Sequence, residues 1–520
     1  MIKVTRALIS ISDKRGIISL VNLLSDRGVE IISTGGTASI IKDAGIPVKL
    51  VSELTGFPEI LEGRVKTLHP KIHGGILAKR EDKHLNQLDI HDILPIDLVV
   101  VSLYPFADTI QNTNDLEKII ENIDIGGVAL LRAAAKNFRY VVTLTSPHDY
   151  ERLIKTLDEN QGKIPQEMSF ELATKAFMHT ANYDAIISRY LYQQVSIDNK
   201  NVFPEILNLS YQKVADLRYG ENPHQKAAFY KEIPKNEPNV TNAEKLHGKE
   251  LSFNNILDLD AALEITKEYN EIIAVIIKHT NPCGIATGNT LAQAYRKAYQ
   301  VDPVSAFGSV LGFNRMVDEE TAGEITKTFV EAVIAPDYSK EALDVLQEKK
   351  NIRLLKCSSL DKFSYCREDY DLRKIVGGGV LVQERNMEKV KVSNLNIVSK
   401  KTPSEDELES LIFGWKAIKH IKSNTILIST KDRIIGYGIG QTSRILAMKI
   451  ALDQAGEEAK GAAVISDAFF PFRDSVDEAN KAGIIAIIQP GGSVRDQDVI
   501  EAVNEYGMSM AFTGIRCFKH

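Results

Sequence analysis

Apolar and polar positions alternate along the first 150 residues in two rhythms. Residues 5–11 (TRALISI) form an apolar run that predicts a strand, and residues 15–27 place Ile17, Ile18, Val21 and Leu24 at helical spacing. Residues 29–33 (VEIIS) predict a second strand. A Gly-Gly turn follows, then a helix from about Thr37 to Ala44, stopped by Gly45 and Pro47. Pro47–Val51 predicts a short strand, and the runs Ile96–Leu103 (IDLVVVSL) and Val141–Thr145 predict buried ones. Strand and helix signals in this order predict an α/β fold with a parallel sheet covered by helices.

Helical patterns take over from about 149 to 195. The polar stretch Gln193–Pro204 reads as a linker and puts a domain boundary near residue 200, giving domains 1–199 and 200–520. The second region also alternates. Ile272–Ile277 (IIAVII), Ile426–Ser429, Ala462–Ile465 and Ile484–Ile488 predict strands, each near a helical pattern. The region is large for one domain and suggests two similar halves, although no sequence repeat is evident.

Composition narrows the class. The 520 residues are 44% hydrophobic and 25% charged, ordinary for a globular chain. Lys and Arg number 63 and Asp and Glu 69, a net charge of −6 without like-charge runs. That argues against a protein that coats nucleic acid or an anionic membrane. Cys283, Cys357, Cys366 and Cys517 are scattered, with no Cys-x-x-Cys pair, which excludes a zinc ribbon or a thioredoxin-like site. Such spacing suits reduced thiols in a cytosol. The N-terminus lacks the apolar stretch of a signal peptide, and no window approaches 18 uninterrupted apolar residues, so no membrane span is expected.

Four segments carry candidate chemistry. Ser33-Thr34-Gly35-Gly36-Thr37 lies between a strand and a helix, where glycines let the backbone approach an anion and hydroxyls add donors. The same residues also suit a tight turn with Thr37 as helix N-cap. Gly63-Arg64-Val65-Lys66-Thr67-Leu68-His69-Pro70 sets two cations and a hydroxyl in an unpatterned segment, which suits phosphate or a solvated loop. His69 and His73 are four apart, but Pro70 spoils a helix beginning before it, so both read as structural rather than metal ligands. Asp124-Ile125-Gly126-Gly127 precedes a helix with Arg132 and Lys136 on one face.

The fourth segment, Lys278-His279-Thr280-Asn281-Pro282-Cys283-Gly284, ends the strand IIAVII, and strand ends of α/β sheets gather active sites. His is suited to proton transfer near neutral pH. Pro282-Cys283 hints at the deaminase pattern Pro-Cys-x-x-Cys, but position 286 is Ala and no Glu follows His279 at the needed spacing, so zinc is not expected. The glycines of Gly436–Gly440 and of Val376–Leu381 (VGGGVL) miss the G-x-G-x-x-G spacing of a dinucleotide site.

GRVKTLHPKIHGGIL, IDIGG, LLRAAAKN, LRYGENPHQ, KHTNPCG, GQTSRI and SDAFFPFRD occur in order from residue 63 to residue 474. Together with SISDK at 10–14 they resemble the bifunctional family that joins AICAR formyltransferase to IMP cyclohydrolase, over essentially the whole length. The resemblance implies that AICAR takes a formyl group from the cosubstrate 10-formyltetrahydrofolate to give FAICAR, which then loses water to give IMP. It implies a methylglyoxal synthase-like N-terminal domain, two cytidine deaminase-like α/β subdomains without zinc, a cytoplasmic homodimer and no nucleic-acid or membrane partner. A bound monovalent cation is left open.

By the family's motifs, Ser12, Asp13, Lys14, Ser33, Gly35, Gly36, Thr37, Arg64, Thr67, Ser102 and Ile125 would bind the cyclohydrolase substrate. Lys66, Tyr104, Asp124 and Lys136 would do its chemistry, with Lys136 as proton donor and acceptor. In the formyltransferase, His279 would be the general base and Lys278 would stabilise the oxyanion. Arg218, Tyr219, His224, Gly308, Glu331, Asn424, Arg444 and Arg516 would hold AICAR, and Ile445, Phe469, Asp474, Ser493 and Val494 would face the folate. Two positions depart from the family pattern: Glu331 replaces an Asp, and Ser102 replaces the Asn before Leu-Tyr-Pro-Phe. If that Asn reads the nucleotide, Ser102 reaches it through water or satisfies local backbone instead. Three rival readings stand beside this one. They are a nucleotide- or phosphate-sensing regulatory module, methylglyoxal synthase activity, which would leave the second region unexplained, and a nucleotide-binding scaffold without catalysis.

Overall fold

A computed structural model describes residues 1–196, 203–232, 237–358, 360, 370–375 and 377–520. The chain forms two compact units, one built on residues up to Gln212 and the other on residues from Lys213 onward apart from Glu232. The boundary expected near residue 200, Cys366 and Val376 of the VGGGVL run lie outside the described residues. The expected linker begins as helix, because the long helix Gln166–Ser196 continues through Gln193.

In the first unit the strands are β1 (Arg6–Ile11), β2 (Glu30–Ser33), β3 (Lys49–Leu50), β4 (Leu98–Ser102) and β5 (Val142–Leu144). They form one sheet in the order β3-β2-β1-β4-β5, with every neighbouring pair parallel. Both faces are covered, so the strands read as continuous apolar runs. The helices that matter for the site are α1 (Ile17–Asp26), α2 (Gly35–Asp43), α3 (Pro70–Leu77), α4 (Gly126–Lys136) and α5 (Gln166–Ser196).

Two local expectations change. The strand expected at Pro47–Val51 shrinks to Lys49–Leu50, because Val51 opens a short helix, Val51–Thr55, whose Glu53 carboxylate reaches back to accept from the Leu50 N–H at 2.9 Å. The helix expected from Thr37 starts at Gly35, with Thr34 in the N-cap position. Thr37 is therefore not the cap; its hydroxyl bonds the Ile11 backbone instead. His69 does cap α3: its Nδ1 accepts from the Lys71 N–H at 3.1 Å, a structural use of an imidazole.

The second unit is built twice over. Its first half runs α6 (Phe253–Thr266), β6 (Ile273–Lys278), β7 (Asn281–Thr287), α7 (Leu291–Val301), β8 (Ser309–Phe313), α8 (Glu319–Ile325), β9 (Val330–Ala335), α9 (Lys340–Gln347) and β10 (Arg353–Lys356). Its second half repeats that order as α10 (Glu405–Ile418), β11 (Ile426–Ser429), β12 (Arg433–Gly438), α11 (Arg444–Ala455), β13 (Ala463–Ser466), α12 (Asp474–Lys481), β14 (Ala486–Gln489), α13 (Asp496–Glu505) and β15 (Ser509–Phe512). The halves join through β7 and β12 into one sheet of 12 described strands, ordered Glu244–His247, β10, β9, β8, β6, β7, β12, β11, β13, β14, β15, Asn396–Ile397. Helices α6 and α10 share one core on one face. On the other face the remaining helices of each half have their own core.

The Gly-x-Gly run of the second half has a packing origin. A Cβ on Gly436 would lie 2.1 Å from the Ala451 carbonyl oxygen, and one on Gly438 would lie 1.8 Å from that of Ala447. Helix α11 thus crosses β12 at backbone contact. In the first half Gly284 meets the Ala298 carbonyl of α7 in the same way, at 2.2 Å. The repeat that the sequence hides is thus marked by one glycine contact shared between the halves.

Candidate functional site

The sheet order of the first unit reverses between β1 and β4, and the crevice outside the carboxyl ends of those strands is where open α/β sheets take ligands. The residues that follow these strands line it. Ser12 Oγ donates to the Leu103 carbonyl at 2.6 Å. Ser102 Oγ accepts from the Ser12 and Asp13 N–H groups at 2.8 and 3.0 Å. Lys14 Nζ donates to Thr37 Oγ1 at 2.7 Å, and burial lowers its pKa. Ser33 is fully buried and donates to the Ile9 carbonyl, so its hydroxyl braces the strand rather than facing the crevice. Asp13 is turned to Arg15, which holds its carboxyl below the usual range.

The ring closes through the loops. Lys66 Nζ lies 3.8 Å from where a Gly35 Cβ would stand, and it faces Glu59 at 3.5 Å. Thr67 Oγ1 lies 3.0 Å from the corresponding point on Gly126. Asp124 Oδ1 accepts from the Gly127 N–H at 2.6 Å at the start of α4. Burial raises the Asp124 pKa, while amide bonds from Gly127 and Tyr104 oppose the rise. Gly35, Gly36, Lys66, Thr67, Asp124, Ile125, Tyr104, Ser102, Ser12, Lys14 and Thr37 therefore follow one another around a single crevice, with Tyr104 and Ile125 exposed. Arg64 is paired with Glu121. Lys136 is the last residue of α4 and stands about 15 Å from Gly126 by helical rise, so it is not adjacent to Asp124.

Tyr183, which no sequence signal singled out, fixes the Asp124 loop. Its hydroxyl accepts from the Asp124 N–H at 2.9 Å and donates to the Asn122 carbonyl at 3.1 Å. Ser102 likewise holds the backbone that follows β1 against the end of β4. Ser102→Ala would orphan the Asp13 N–H, leave the Ser12 N–H only its 3.3 Å bond to the Ser102 carbonyl, and should cost about 1–3 kcal/mol. Urea unfolding of the first unit, followed with and without IMP, measures it; unchanged stability would mean that water replaces the hydroxyl at no cost.

In the second unit the register brings the other candidates to one edge of the large sheet. β6 runs antiparallel to both β7 and β8. β12 runs antiparallel to β7 and β11, and β13 antiparallel to β11. The end of β6 therefore shares an edge with the starts of β8, β9 and β11 and with the ends of β12, β13, β14 and β15. Lys278 donates to the Phe307 carbonyl at 2.8 Å, beside Gly308. Glu331 is paired with Arg353 at 2.5 Å. The hairpin carrying Arg218, Tyr219 and the exposed His224 is tied to the start of α6, where Asn254 Nδ2 donates to the Glu221 carbonyl at 3.4 Å.

Across the same edge, Arg444 bonds Asn424 Oδ1 at 3.0 and 3.1 Å and Asp467 Oδ1 at 2.7 Å. Asp467 is fully buried and also accepts from the Thr425 N–H. Burial raises the Asp467 pKa against the pull of Arg444 and lowers that of Arg444. Asp467 lay in the run SDAFFPFRD without being singled out; a carboxylate directly after a buried strand was the available signal. Ile445 follows Arg444 on α11, Asp474 opens α12, Phe469 follows β13, and Ser493 with the fully exposed Val494 follows β14. Arg516 lies after β15, over the Phe518 ring at 4.6 Å. Among the described residues, no group of three or more His, Cys, Asp or Glu side chains is placed to hold a metal. Among the same residues no helix is long and apolar enough to cross a membrane.

These features define a two-unit α/β protein with a polar constellation at strand ends of each sheet. The comparisons agree. The AICARFT/IMPCHase bienzyme family matches residues 134–454, and the MGS-like domain family matches residues 16–129. The bifunctional purine biosynthesis protein PurH of Acetivibrio thermocellus is 51% identical over 519 residues, 99% of this chain and 100% of its own length. PurH of a Thermoanaerobacter species is 51% identical and that of a Bacillus cereus strain 49%, each over 517 residues and 99% of both chains. A solved structure, the crystal structure of ForH, covers 36% of this chain and 97% of its own at 36% identity, with a TM-score of 0.33. The chain belongs to the AICARFT/IMPCHase bienzyme family. It is a bifunctional enzyme of purine biosynthesis, a formyltransferase and an IMP cyclohydrolase, rather than a regulatory module.

Proposed function

We propose that the two activities sit at the two constellations. In the second unit the AICAR amine attacks the formyl carbon of 10-formyltetrahydrofolate. His279 takes the amine proton, Lys278 faces the oxyanion, and the folate nitrogen leaves with a proton. In the first unit the FAICAR carboxamide nitrogen attacks the formyl carbon, and the ring closes with loss of water. The observation that carries the second assignment is the closed ring of hydroxyls, amides and cations from Gly35 to Asp124. Lys66, Tyr104 and Asp124 are its adjacent proton-handling groups, and a part for Lys136 requires its Nζ to reach the ring from the far end of α4.

The proposal extends to assembly. Six strand spacings separate Glu331 on β9 from the end of β13, about 29 Å, so one nucleotide does not span both sets of candidates on the edge. A site that uses both sets takes one from each of two copies, which supports a homodimer. Buried Cys283, Cys357 and Cys517, all unpaired, suit a cytosolic enzyme. Purified protein treated with chelator and given AICAR and 10-formyltetrahydrofolate should form IMP, with zinc far below one per chain. No IMP from AICAR, or activity lost with the metal, would defeat the reading.

A further inference from the structure

The ladder between β6 and β7 closes at Lys278 and Asn281, leaving His279-Thr280 as a two-residue hairpin loop. Both residues are left-handed, at φ +55 and +62. That is the backbone of a type I′ turn, which Asn-Gly adopts readily. A β-branched Thr at positive φ is an outlier, and such strain persists only where surrounding groups hold it.

The holding group is on a helix. Asp258 of α6 presents its carboxylate to the two consecutive amides of the loop: Oδ1 accepts from the Thr280 N–H at 2.6 Å and Oδ2 from the His279 N–H at 3.3 Å. Successive amides in this geometry form an anion-binding concavity, and the protein fills it with its own carboxylate. The clamp's hydrogen bonds go to main chain, and its charge also acts on the His279 ring, which stays exposed to face substrate. The Thr280 hydroxyl is turned back to the His279 carbonyl. We propose that Asp258 is a positioning residue for formyl transfer, holding the strained turn that aims His279. The inference rests on His279 being the base. Asp258 touches no reacting atom; it acts through the loop.

Asp258→Asn tests it, because an amide offers one acceptor and sets a donor against the second N–H. The kcat of formyl transfer should fall about 10–100-fold, as for a misplaced catalytic group, with KM for AICAR little changed. FAICAR cyclisation, on the other unit, should keep its rate. Glycine adopts positive φ without support, so Asp258→Asn/Thr280→Gly should recover most of the lost kcat. This double variant also keeps the test valid if Asp258→Asn alone folds poorly. Full kcat in Asp258→Asn, a matched loss in KM alone, or no recovery in the double variant would each overturn the proposal. His279→Asn assayed beside them separates the two claims: if it keeps formyl transfer, the base assignment fails whatever Asp258 does.

Discussion

Replacing His279 should lower formyl transfer by about 10²–10⁴-fold, the usual worth of a general base, and leave FAICAR cyclisation at its original rate. The choice of replacement matters. His279 sits at φ +55, so Ala there adds backbone strain to the loss of the imidazole. Asn tolerates the left-handed region and carries no base, which isolates the chemistry. Both variants should be inactive in formyl transfer and active in cyclisation. Activity retained by His279→Asn would mean that another group takes the proton. Loss of both activities in a folded protein would mean that the two constellations are not independent.

The second large effect concerns the buried pair. Asp467→Ala leaves the Arg444 guanidinium, nine-tenths buried, without its carboxylate and orphans the Thr425 N–H. Removing one partner of a buried pair costs about 3–5 kcal/mol, whereas replacing both by apolar groups of similar volume is often neutral. Asp467→Ala should therefore lower the unfolding transition of the second unit strongly, while Arg444→Met/Asp467→Leu recovers much of that stability without restoring AICAR binding. Calorimetric unfolding of both proteins checks it. If the double variant were as unstable as the single one, the cost would lie in packing around β13 rather than in an unpaired charge.

The alternation of the first 150 residues was legible because both faces of a parallel sheet are buried. Runs such as IDLVVVSL therefore have no other use, and β4 falls inside that prediction. The hairpin between β6 and β7 was not legible. IIAVII announces one strand, but NPCGIAT carries Pro and Gly, which read as loop. The turn between them lacks the Asn-Gly signature because a helix, not the turn residues, holds it.

What the sequence determined by itself was the α/β class, the strands with apolar runs, the family and the residue types of both sites, since composition, periodicity and long ordered motifs are local properties of the chain. Tertiary structure alone decided three things. It tied Asp258 to His279, 21 residues away. It set Asp467 against Arg444 and gave Ser102 to the backbone of Ser12 rather than to open crevice. Each of these depends on which strands lie side by side and on how a helix crosses a sheet. Register and crossing are settled by packing between elements distant in sequence, which no local pattern encodes.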